Sequence, residues 1–304
     1  MANPHASSRL SDLEGVSVGH WHDRAARTGC TVVMLNRSCP ASVHLAGGAP
    51  GSQETALLDP ANTVEGVDAI VLTGGSAYGL SASSGVRQYL EEKGRGFKIA
   101  DKVVPIVPTA VIFDLLTGDG STRPGPQQGF SACVDAENPS DKQGPVGAGA
   151  GATVGKYMGM DQSAPGGLAS LSMKVDSDVN IGALMVANCY GQVVDPKTGK
   201  VVAGPRAETG EFLSYLESNP PPPSFGATAI GVVITDARLT KAEAKRVAVM
   251  AHDGLARSVY PSHTPYDGDM IFVVSTGEKK IEIARLGAWS AFMVERAMVT
   301  AVSP

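Results

Sequence analysis

Six short apolar segments constrain the fold of this chain most strongly. Each is five to seven residues long, and several are apolar at consecutive positions, which is typical of strands covered on both faces. The chain is therefore predicted to form sheets buried between other layers. The segments are "CTVVML" (30–35), "AIVLT" (69–73), "VPIVP" (104–108), "IGALMVA" (181–187), "AIGVVI" (229–234) and "MIFVVST" (270–276).

Three helix-forming runs accompany these strands. Residues 76–94 end in Lys-Gly, which is a common helix stop. Residues 239–258 open with Thr240 and Glu243 in the spacing of a capping box, and a third helix is predicted over 288–302. The polar stretches 117–145 and 194–224 are expected to be loops. This order of elements favours a layered sandwich of sheets and helices over strict βαβ alternation.

Length and charge narrow the class of protein. The 304 residues are 43% apolar, enough for one large core or two domains, and the net charge is −5 with no basic cluster. Nucleic-acid and membrane partners are therefore not expected. The chain lacks a signal-like start and an apolar run of about 18 residues, so we expect a soluble, cytoplasmic protein. Reduced thiols without metal-ligand spacing are expected at Cys30, Cys39, Cys133 and Cys189.

The glycine-rich segment "GAGAGATVGK" (147–156) suggests a phosphate-binding loop but lacks the required pattern. A Walker loop needs a glycine where the chain has Ala150, and Ser or Thr where Lys156 is followed by Tyr157. No strong strand precedes the segment to make a dinucleotide fingerprint. Close backbone packing explains the glycines better, and no cofactor is expected. Lys156 remains an unusual charge at the end of the segment.

Two aspartates, Asp267 and Asp269, lie just before the last apolar segment in "HTPYDGDMIFVV" (263–274). If the strand begins there, both carboxylates point to one face. Two like charges so close must share a proton, a cation or a set of donors. A pair that orients an active group is the favoured interpretation. A solvated turn, or a metal site that also includes His263, are the alternatives.

Asn188 and Cys189 lie at the end of an apolar strand in "VANCYG" (186–191). The amide N–H of Asn188 is placed to donate to a developing oxyanion. Cys189 is a candidate nucleophile, but no histidine lies near it in sequence, and free cysteine is commonly buried.

Thr228 opens the strand in "PPPPSFGATAIGVVITDA" (220–237). A buried strand favours Val and Ile, yet four prolines lead through Gly226 and Ala227 to a threonine at the first strand position. These small residues leave the backbone accessible. Thr228 therefore serves either packing or chemistry, and the residues alone leave both open.

Motifs spread over nearly the whole chain resemble, in their order, those of a known family. They are "LTGGSAYGL" (72–80), "VPIVPTAVIFDL" (104–115), "GAGATVGK" (149–156), "VANCYG" (186–191), "TAIGVVITDA" (228–237), "AHDGLARS" (251–258) and "HTPYDGD" (263–269). The family is the self-processing peptidases that include the L-aminopeptidase/D-esterases, the β-peptidyl aminopeptidases and the nylon-oligomer hydrolases. The chain resembles the nylon-oligomer hydrolase branch most, through "VIFDL", "AHDGLAR" and "DGD".

The resemblance implies an N-terminal-nucleophile hydrolase: a single domain with the fold of an αββα sandwich. In such proteins a Ser or Thr attacks the carbonyl that precedes it, the chain divides, and the freed α-amine becomes the base for the same hydroxyl. On this resemblance the nucleophile is Thr228, and cleavage between Ala227 and Thr228 gives an α chain of 1–227 and a β chain of 228–304.

The resemblance also implies roles for four further residues. Asn188 would stabilise the oxyanion, Lys156 would assist the nucleophile or the oxyanion, and Asp267 and Asp269 would orient and tune the amine. The implied activity is hydrolysis of small peptides or amide oligomers without a cofactor or a metal. The implied assembly is a homo-oligomer, a tetramer of αβ pairs.

Two departures from the family pattern keep alternatives open. Ala227 stands where relatives carry Asn or Gly, so an uncleaved, inactive homologue that acts as a binding or scaffold protein is one alternative. Pro108 and Thr109 stand where the aminopeptidase branch carries an acid that binds a free amino terminus, which favours internal amide bonds. Acyl transfer to an amine by the same chemistry is the other alternative.

Overall fold

The computed structural model describes residues 9–138, 142–222 and 226–303. Within these ranges the α-helices are α1 (Ala82–Glu92), α2 (Pro126–Asp135), α3 (Lys241–Ser258) and α4 (Ile283–Ala301). The strands are β1 (Val16–Asp23), β2 (Thr28–Leu45), β3 (Ser52–Gln53), β4 (Gly66–Thr73), β5 (Phe97–Ile99), β6 (Lys102–Val104), β7 (Thr109–Val111), β8 (Thr153–Val154), β9 (Ala164–Pro165), β10 (Gly167–Val175), β11 (Val179–Asn188), β12 (Gln192–Asp195), β13 (Lys200–Ala203), β14 (Thr228–Ala237), β15 (Val259–Tyr260) and β16 (Met270–Lys279). Short 3-10 helices cover Leu10–Asp12, Ala56–Leu58, Ser76–Ser81, Gly147–Gly149, Lys156–Met158, Met160–Gln162 and Asp176–Asp178.

The long strand β2 belongs to two sheets. Its first part pairs with β1 and β4, its last part pairs with β16, and the register shifts between Met34 and Cys39. Sheet I therefore contains β1, the start of β2, β4, β7 and β3. Sheet II contains β10, β11, β14, β16 and the end of β2. Only the β14–β16 pair in sheet II is parallel, and it brings the starts of these two strands to one edge.

Side-chain alternation along the strands defines four layers. In β14, Val232 and Ile234 join a buried cluster shared by both sheets, whereas Val233 joins a cluster with α3 and α4. In β2, Val33 faces the other sheet and Val32 packs with α1 and α2. Helices thus cover the outer face of each sheet, and the αββα sandwich is confirmed.

Five of the six apolar segments lie in strands. The prediction of a strand for "VPIVP" is wrong. Only Val104 of that segment is in a strand, because Pro105 and Pro108 lack the N–H that a sheet requires. The amide of Ile106 donates instead to the carboxylate of Asp68 at 2.8 Å.

The helix predictions are correct in type but not in all boundaries. Residues 76–94 begin as the 3-10 helix Ser76–Ser81 before α1, and α4 begins at Ile283 rather than near 288. The expected loop over 117–145 contains α2, whose signal was Pro126 in its first turn. The capping box is present: Thr240 accepts from the amide of Glu243 at 3.2 Å.

Two further observations concern thiols and membranes. Cys30, Cys39, Cys133 and Cys189 are free and buried, as expected. In the described part of the chain, no helix combines the length and apolar character needed to cross a bilayer.

Candidate active site

Thr228 is the first residue of β14, and its direct partner across the antiparallel pair is Asn188, the last residue of β11. The hydroxyl of Thr228 donates to the carbonyl oxygen of Ala227, the residue before it. Both residues are buried, at 5% and 3% exposure. The predicted nucleophile therefore lies beside the peptide bond that the resemblance predicts to be cleaved.

The same carbonyl has a second donor, which the sequence did not reveal. The amide N–H of Gly268 donates to the oxygen of Ala227 at 3.0 Å, and Ala227 forms an isolated parallel bridge with Asp267. A Cβ at Gly268 would lie 2.9 Å from the hydroxyl oxygen of Thr228 and 2.7 Å from the carbonyl oxygen of Ala49. Only glycine fits this approach, so the available signal was the glycine between the two aspartates.

Lys156 joins the end of β11 to the segment before Thr228. Its Nζ donates to the backbone oxygen of Asn188 at 2.9 Å, to Asn188 Oδ1 at 2.8 Å and to the carbonyl of Gly226 at 2.7 Å. These three acceptors match the three N–H groups of an ammonium. Burial lowers the pKa of Lys156 to about 7, although nearby acidic groups oppose the shift. The lysine therefore titrates near neutrality and can either donate or accept a proton there.

The amide of Asn188 is held at both ends. Its Oδ1 accepts from the amide of Thr153 at 3.0 Å as well as from Lys156. Its Nδ2 donates to the carbonyl of Phe113 at 3.4 Å, so in the intact chain this donor has a long, weak bond. The oxyanion role of Asn188 stays a prediction.

Asp269 anchors the start of β14. Its Oδ1 accepts from the amide of Ala229, the residue after Thr228, at 2.7 Å. Its Oδ2 accepts from the amide of His263 at 3.0 Å and lies 2.8 Å from Nδ1 of that ring. The sequence suggests His263 only as a metal ligand, whereas in the structure it contacts the carboxylate of Asp269. Burial alone would lower the pKa of His263, but the hydrogen bond and charge of Asp269 outweigh it and raise the pKa above its usual value.

Asp267 accepts hydrogen bonds from two segments, the turn after β11 and the segment before β16. Its Oδ1 accepts from the amide of Tyr190 at 3.0 Å, and its Oδ2 accepts from the amide and hydroxyl of Thr264. Burial, reinforced by the charge of Asp269, raises the pKa of Asp267 to about 6. Asp267 and Asp269 are 0% and 1% exposed, so the solvated-turn alternative is wrong.

The structure also bears on the other expectations for this segment. Strand β16 begins at Met270, after both aspartates, so the condition for a shared strand face is not met. Across the described ranges, no three His, Cys, Asp or Glu side chains cluster in a way that could hold a metal ion. Residues 223–225 of the proline-rich stretch lie outside the described residues.

Cys189 is a buried thiol rather than an activated one. Burial raises its pKa well above the usual value, and the charges of Asp267 and Asp269 act in the same direction. Its Sγ donates to the carbonyl of Gly191 at 3.3 Å. A thiol in this setting stays protonated at neutral pH, which argues against the nucleophile alternative.

Known structures share the fold of this protein. The L-aminopeptidase D-Ala-esterase/amidase of Ochrobactrum anthropi, described as a variant of the Ntn hydrolase fold, has a TM-score of 0.73 and 19% identity over 99% of this chain and 88% of its own. A beta-aminopeptidase of Burkholderia sp. has a TM-score of 0.72 and 20% identity with the same coverage. The chain thus has the fold of the N-terminal-nucleophile hydrolases.

Sequence relatives narrow the class to one family. The model of peptidase family S58 matches residues 8–303. An uncharacterized aminopeptidase of Mycobacterium tuberculosis is 41% identical over 96% of this chain and 88% of its own length. A 6-aminohexanoate-oligomer endohydrolase of Kocuria sp. is 31% identical over 88% of this chain and 74% of its own. The chain belongs to peptidase family S58, and the protein is a hydrolase, as the motifs indicated.

Proposed function

We propose that this hydrolase cleaves amide bonds through Thr228, which self-cleavage between Ala227 and Thr228 converts into an N-terminal residue. One observation carries the proposal. The carbonyl oxygen of Ala227 accepts a hydrogen bond from the hydroxyl of Thr228 and another, at 3.0 Å, from the amide of Gly268. The attacking atom and a donor for the developing negative charge thus meet at one peptide bond.

Self-cleavage proceeds as an acyl shift followed by hydrolysis. The hydroxyl oxygen of Thr228 bonds to the carbonyl carbon of Ala227, and the hydroxyl proton passes to the amide nitrogen as the carbon–nitrogen bond breaks. This leaves an ester between the two residues. The acyl shift has already freed the α-amine of Thr228. Water then hydrolyses the ester, so that Ala227 ends in a carboxylate and the hydroxyl of Thr228 is restored. The products are chains of 1–227 and 228–304.

In turnover the same atoms act on an external amide. The neutral α-amine of Thr228 accepts the proton of its own hydroxyl, and the oxygen attacks the substrate carbonyl. The amide of Gly268 and the side chain of Asn188 stabilise the oxyanion. Lys156 assists the nucleophile or the oxyanion by holding Asn188 and Gly226, to which its Nζ donates. Asp267 and Asp269 hold the start of β14 and tune the amine.

The proposed substrates are small peptides and amide oligomers. A relative is named an oligomer endohydrolase and others are named aminopeptidases. Thr109 carries no carboxylate that could bind a free amino terminus, and its buried hydroxyl already donates to the carbonyl of Val107 at 3.2 Å. Internal amide bonds are therefore the favoured targets. The mature enzyme is proposed to be a cytoplasmic homo-oligomer of αβ pairs.

The proposal is tested by intact-mass measurement of the purified protein beside its Thr228→Ala variant. We expect wild-type fragments that end at Ala227 and begin at Thr228, together with amide hydrolysis on a short oligomer. The variant should remain one inactive chain. A single wild-type chain without activity would favour the binding or scaffold alternative, and cleavage that persists in the variant would move the nucleophile elsewhere.

A further inference from the structure

Ala227 sits in an aromatic pocket that the proposed reaction does not explain. Its methyl group forms a buried cluster with Tyr157 and Tyr190, and Met158, Tyr215 and Tyr266 pack against that cluster. Two of the tyrosine ring pairs meet edge to face and two are tilted. The ring centroids of Tyr157 and Tyr215 are 5.3 Å apart at 81°, and those of Tyr190 and Tyr266 are 5.5 Å apart at 46°.

The position of this pocket relative to the proposed reacting atoms indicates which part of a substrate it would hold. One hydroxyl, that of Thr228, is proposed to attack the carbonyl of Ala227 first and the substrate carbonyl later. One amide, that of Gly268, would hold the oxygen in both reactions. The group bonded to the carbonyl carbon must then occupy the same place in both. In the intact chain that place holds the side chain of Ala227.

We infer that the tyrosine-lined pocket around Ala227 is the acyl-group pocket of the mature enzyme, and that it selects amides with a small, uncharged, apolar group next to the scissile carbonyl. This inference rests on the proposed function. It names the substrate class for the acyl side, and it makes Tyr215 the residue that sets the size of the pocket.

Three of the tyrosines have polar contacts of their own, including Tyr266, whose amide donates to the hydroxyl of Thr264 at 3.3 Å. The hydroxyl of Tyr157 lies 2.8 Å from Gln192 Oε1 and 2.7 Å from the carbonyl of Leu213. The amide of Tyr190 donates to Asp267 at 3.0 Å. These walls belong to the rigid frame of the site, so changing them would also disturb the catalytic groups.

Tyr215 is a different kind of wall. It lies in the segment that leads toward the predicted cleavage site, between β13 and β14, and it would belong to the last part of the α chain. Its ring is half-buried and packs edge-on against Tyr157 and, at 6.2 Å, against Tyr190. It therefore closes the pocket from outside the sheets, and its truncation enlarges the pocket without removing a contact to the aspartates.

The charged groups beside the pocket disfavour a charged acyl group. Lys156 precedes Tyr157, and its Nζ is occupied by Asn188 and Gly226. Asp267 follows Tyr266, and both of its oxygens already accept hydrogen bonds. A charged substrate group would enter this buried space without a free counter-charge, which is costly.

The substrate test compares N-acetylated p-nitroanilides, which carry no free amino terminus and differ only in the acyl residue: alanine, leucine, phenylalanine and glutamate. We expect the wild-type enzyme to prefer alanine. In Tyr215→Ala, kcat/KM for leucine relative to alanine should rise about 10-fold or more, as expected when a pocket gains room for a few carbon atoms. Leu216→Ala is the matched control, because the neighbouring side chain is 74% exposed, and it should leave the ratio unchanged.

Self-cleavage supplies an independent test of the same pocket. Ala227→Leu should slow cleavage about 10-fold or more because the larger side chain overfills the pocket, and adding Tyr215→Ala should restore much of the rate. Leu216→Ala should not restore it. If Tyr215→Ala does not fold, Tyr215→Leu keeps apolar packing while shortening the wall and is assayed in the same way.

The outcomes separate the inference from the proposed function. A wild-type enzyme that is cleaved and active, with an acyl preference that neither Tyr215 variant changes, would overturn the inference and leave the proposed function intact. Normal cleavage of Ala227→Leu would also overturn it. A wild-type chain that is neither cleaved nor active would overturn both.

Discussion

The amide N–H of Gly268 lies 3.0 Å from the carbonyl oxygen of Ala227. This contact joins the residues that precede two parallel strands, β14 and β16, and it is extended by the bridge between Ala227 and Asp267. It polarises the same carbonyl that accepts a hydrogen bond from the hydroxyl of Thr228. In the proposed self-cleavage, the sheet edge would therefore supply a preorganised donor before any bond is broken.

Gly268→Ala should slow self-cleavage, because its Cβ would meet the hydroxyl of Thr228 at 2.9 Å and force the reacting groups apart. We expect at least about a 10-fold decrease, since misplacement of a reacting atom is costly. The measurement is the fraction of intact chain over time by mass spectrometry. Gly125→Ala is the control, because its nearest neighbour is the flexible Gln128 side chain at 3.3 Å. Equal cleavage rates for both variants would contradict the assignment of Gly268.

Asn188→Ala and Cys189→Ala should differ sharply in activity although the residues are adjacent. Removal of the amide should lower kcat on a short amide oligomer by roughly 10²-fold or more, as for loss of an oxyanion donor. Removal of the protonated, buried thiol should leave most activity. Circular dichroism checks that both variants fold. Abolished turnover in a folded Cys189→Ala enzyme would reverse the assignment of the nucleophile.

The positions of Thr228 and Asn188 could be predicted because Thr228 opens one apolar run and Asn188 closes another, and strand ends can be predicted from alternation and from small or polar residues. The resemblance placed Lys156 and the two aspartates in the same site. The three hydrogen bonds of Lys156 could not be predicted, since they join segments that are distant in sequence. The role of Gly268 depends on a bridge between two strand starts, and a single sequence does not specify such a pairing.

The misread elements have local causes. The prolines of "VPIVP" outweigh its apolar pattern, and α2 was missed because small and polar residues dominate the sequence around it. The aromatic pocket could not be predicted from the sequence because its four tyrosines come from four separate segments. Periodicity reports which face of an element is buried, whereas pocket walls come from loops whose paths depend on tertiary contacts.

Asp267 should make stability depend on pH in a defined window. Its folded pKa of about 6 lies above the ~3.9 of an exposed aspartate, so between these values the folded state binds more protons and stability falls as pH rises. The Asp267→Asn variant, made in the uncleaved Thr228→Ala chain, should not show this decrease in stability. Its Tm relative to the parent should rise on the order of 5 °C between pH 4 and pH 6 and then level off.

The measurement of this window is differential scanning fluorimetry at low protein concentration, because the sequence pI of about 5.7 lies within it. A constant offset between the two chains reports only the altered hydrogen bonds to Tyr190 and Thr264. A Tm difference that does not change with pH would therefore contradict the raised pKa.

His263 and Asp269 should shift the pH dependence of catalysis in opposite directions. The α-amine of Thr228 must be neutral to act as a base, so kcat/KM rises with pH through the pKa of this amine. Asp269→Asn removes a negative charge, which lowers the pKa of the amine and moves this limb to lower pH. Despite burial, the hydrogen bond and charge of Asp269 raise the pKa of His263, and wherever the ring is protonated it offsets the charge of Asp269; in that pH range its loss moves the limb to higher pH. The neighbouring His252, whose pKa burial lowers to about 4, stays neutral and does not compete.

Two variants of His263 separate its charge from its hydrogen bond. The residue has a φ of +55°, which asparagine and glycine tolerate. His263→Asn keeps a donor for Asp269 at the place of Nδ1, whereas His263→Gly keeps only the backbone donor. Both should move the limb to higher pH, but kcat should fall further in the glycine variant because the carboxylate is less well held. The measurement is kcat/KM against pH on a short amide oligomer, after mass spectrometry confirms equal processing. Profiles that move in the same direction for Asp269→Asn and the His263 variants would exclude an electrostatic action on the amine.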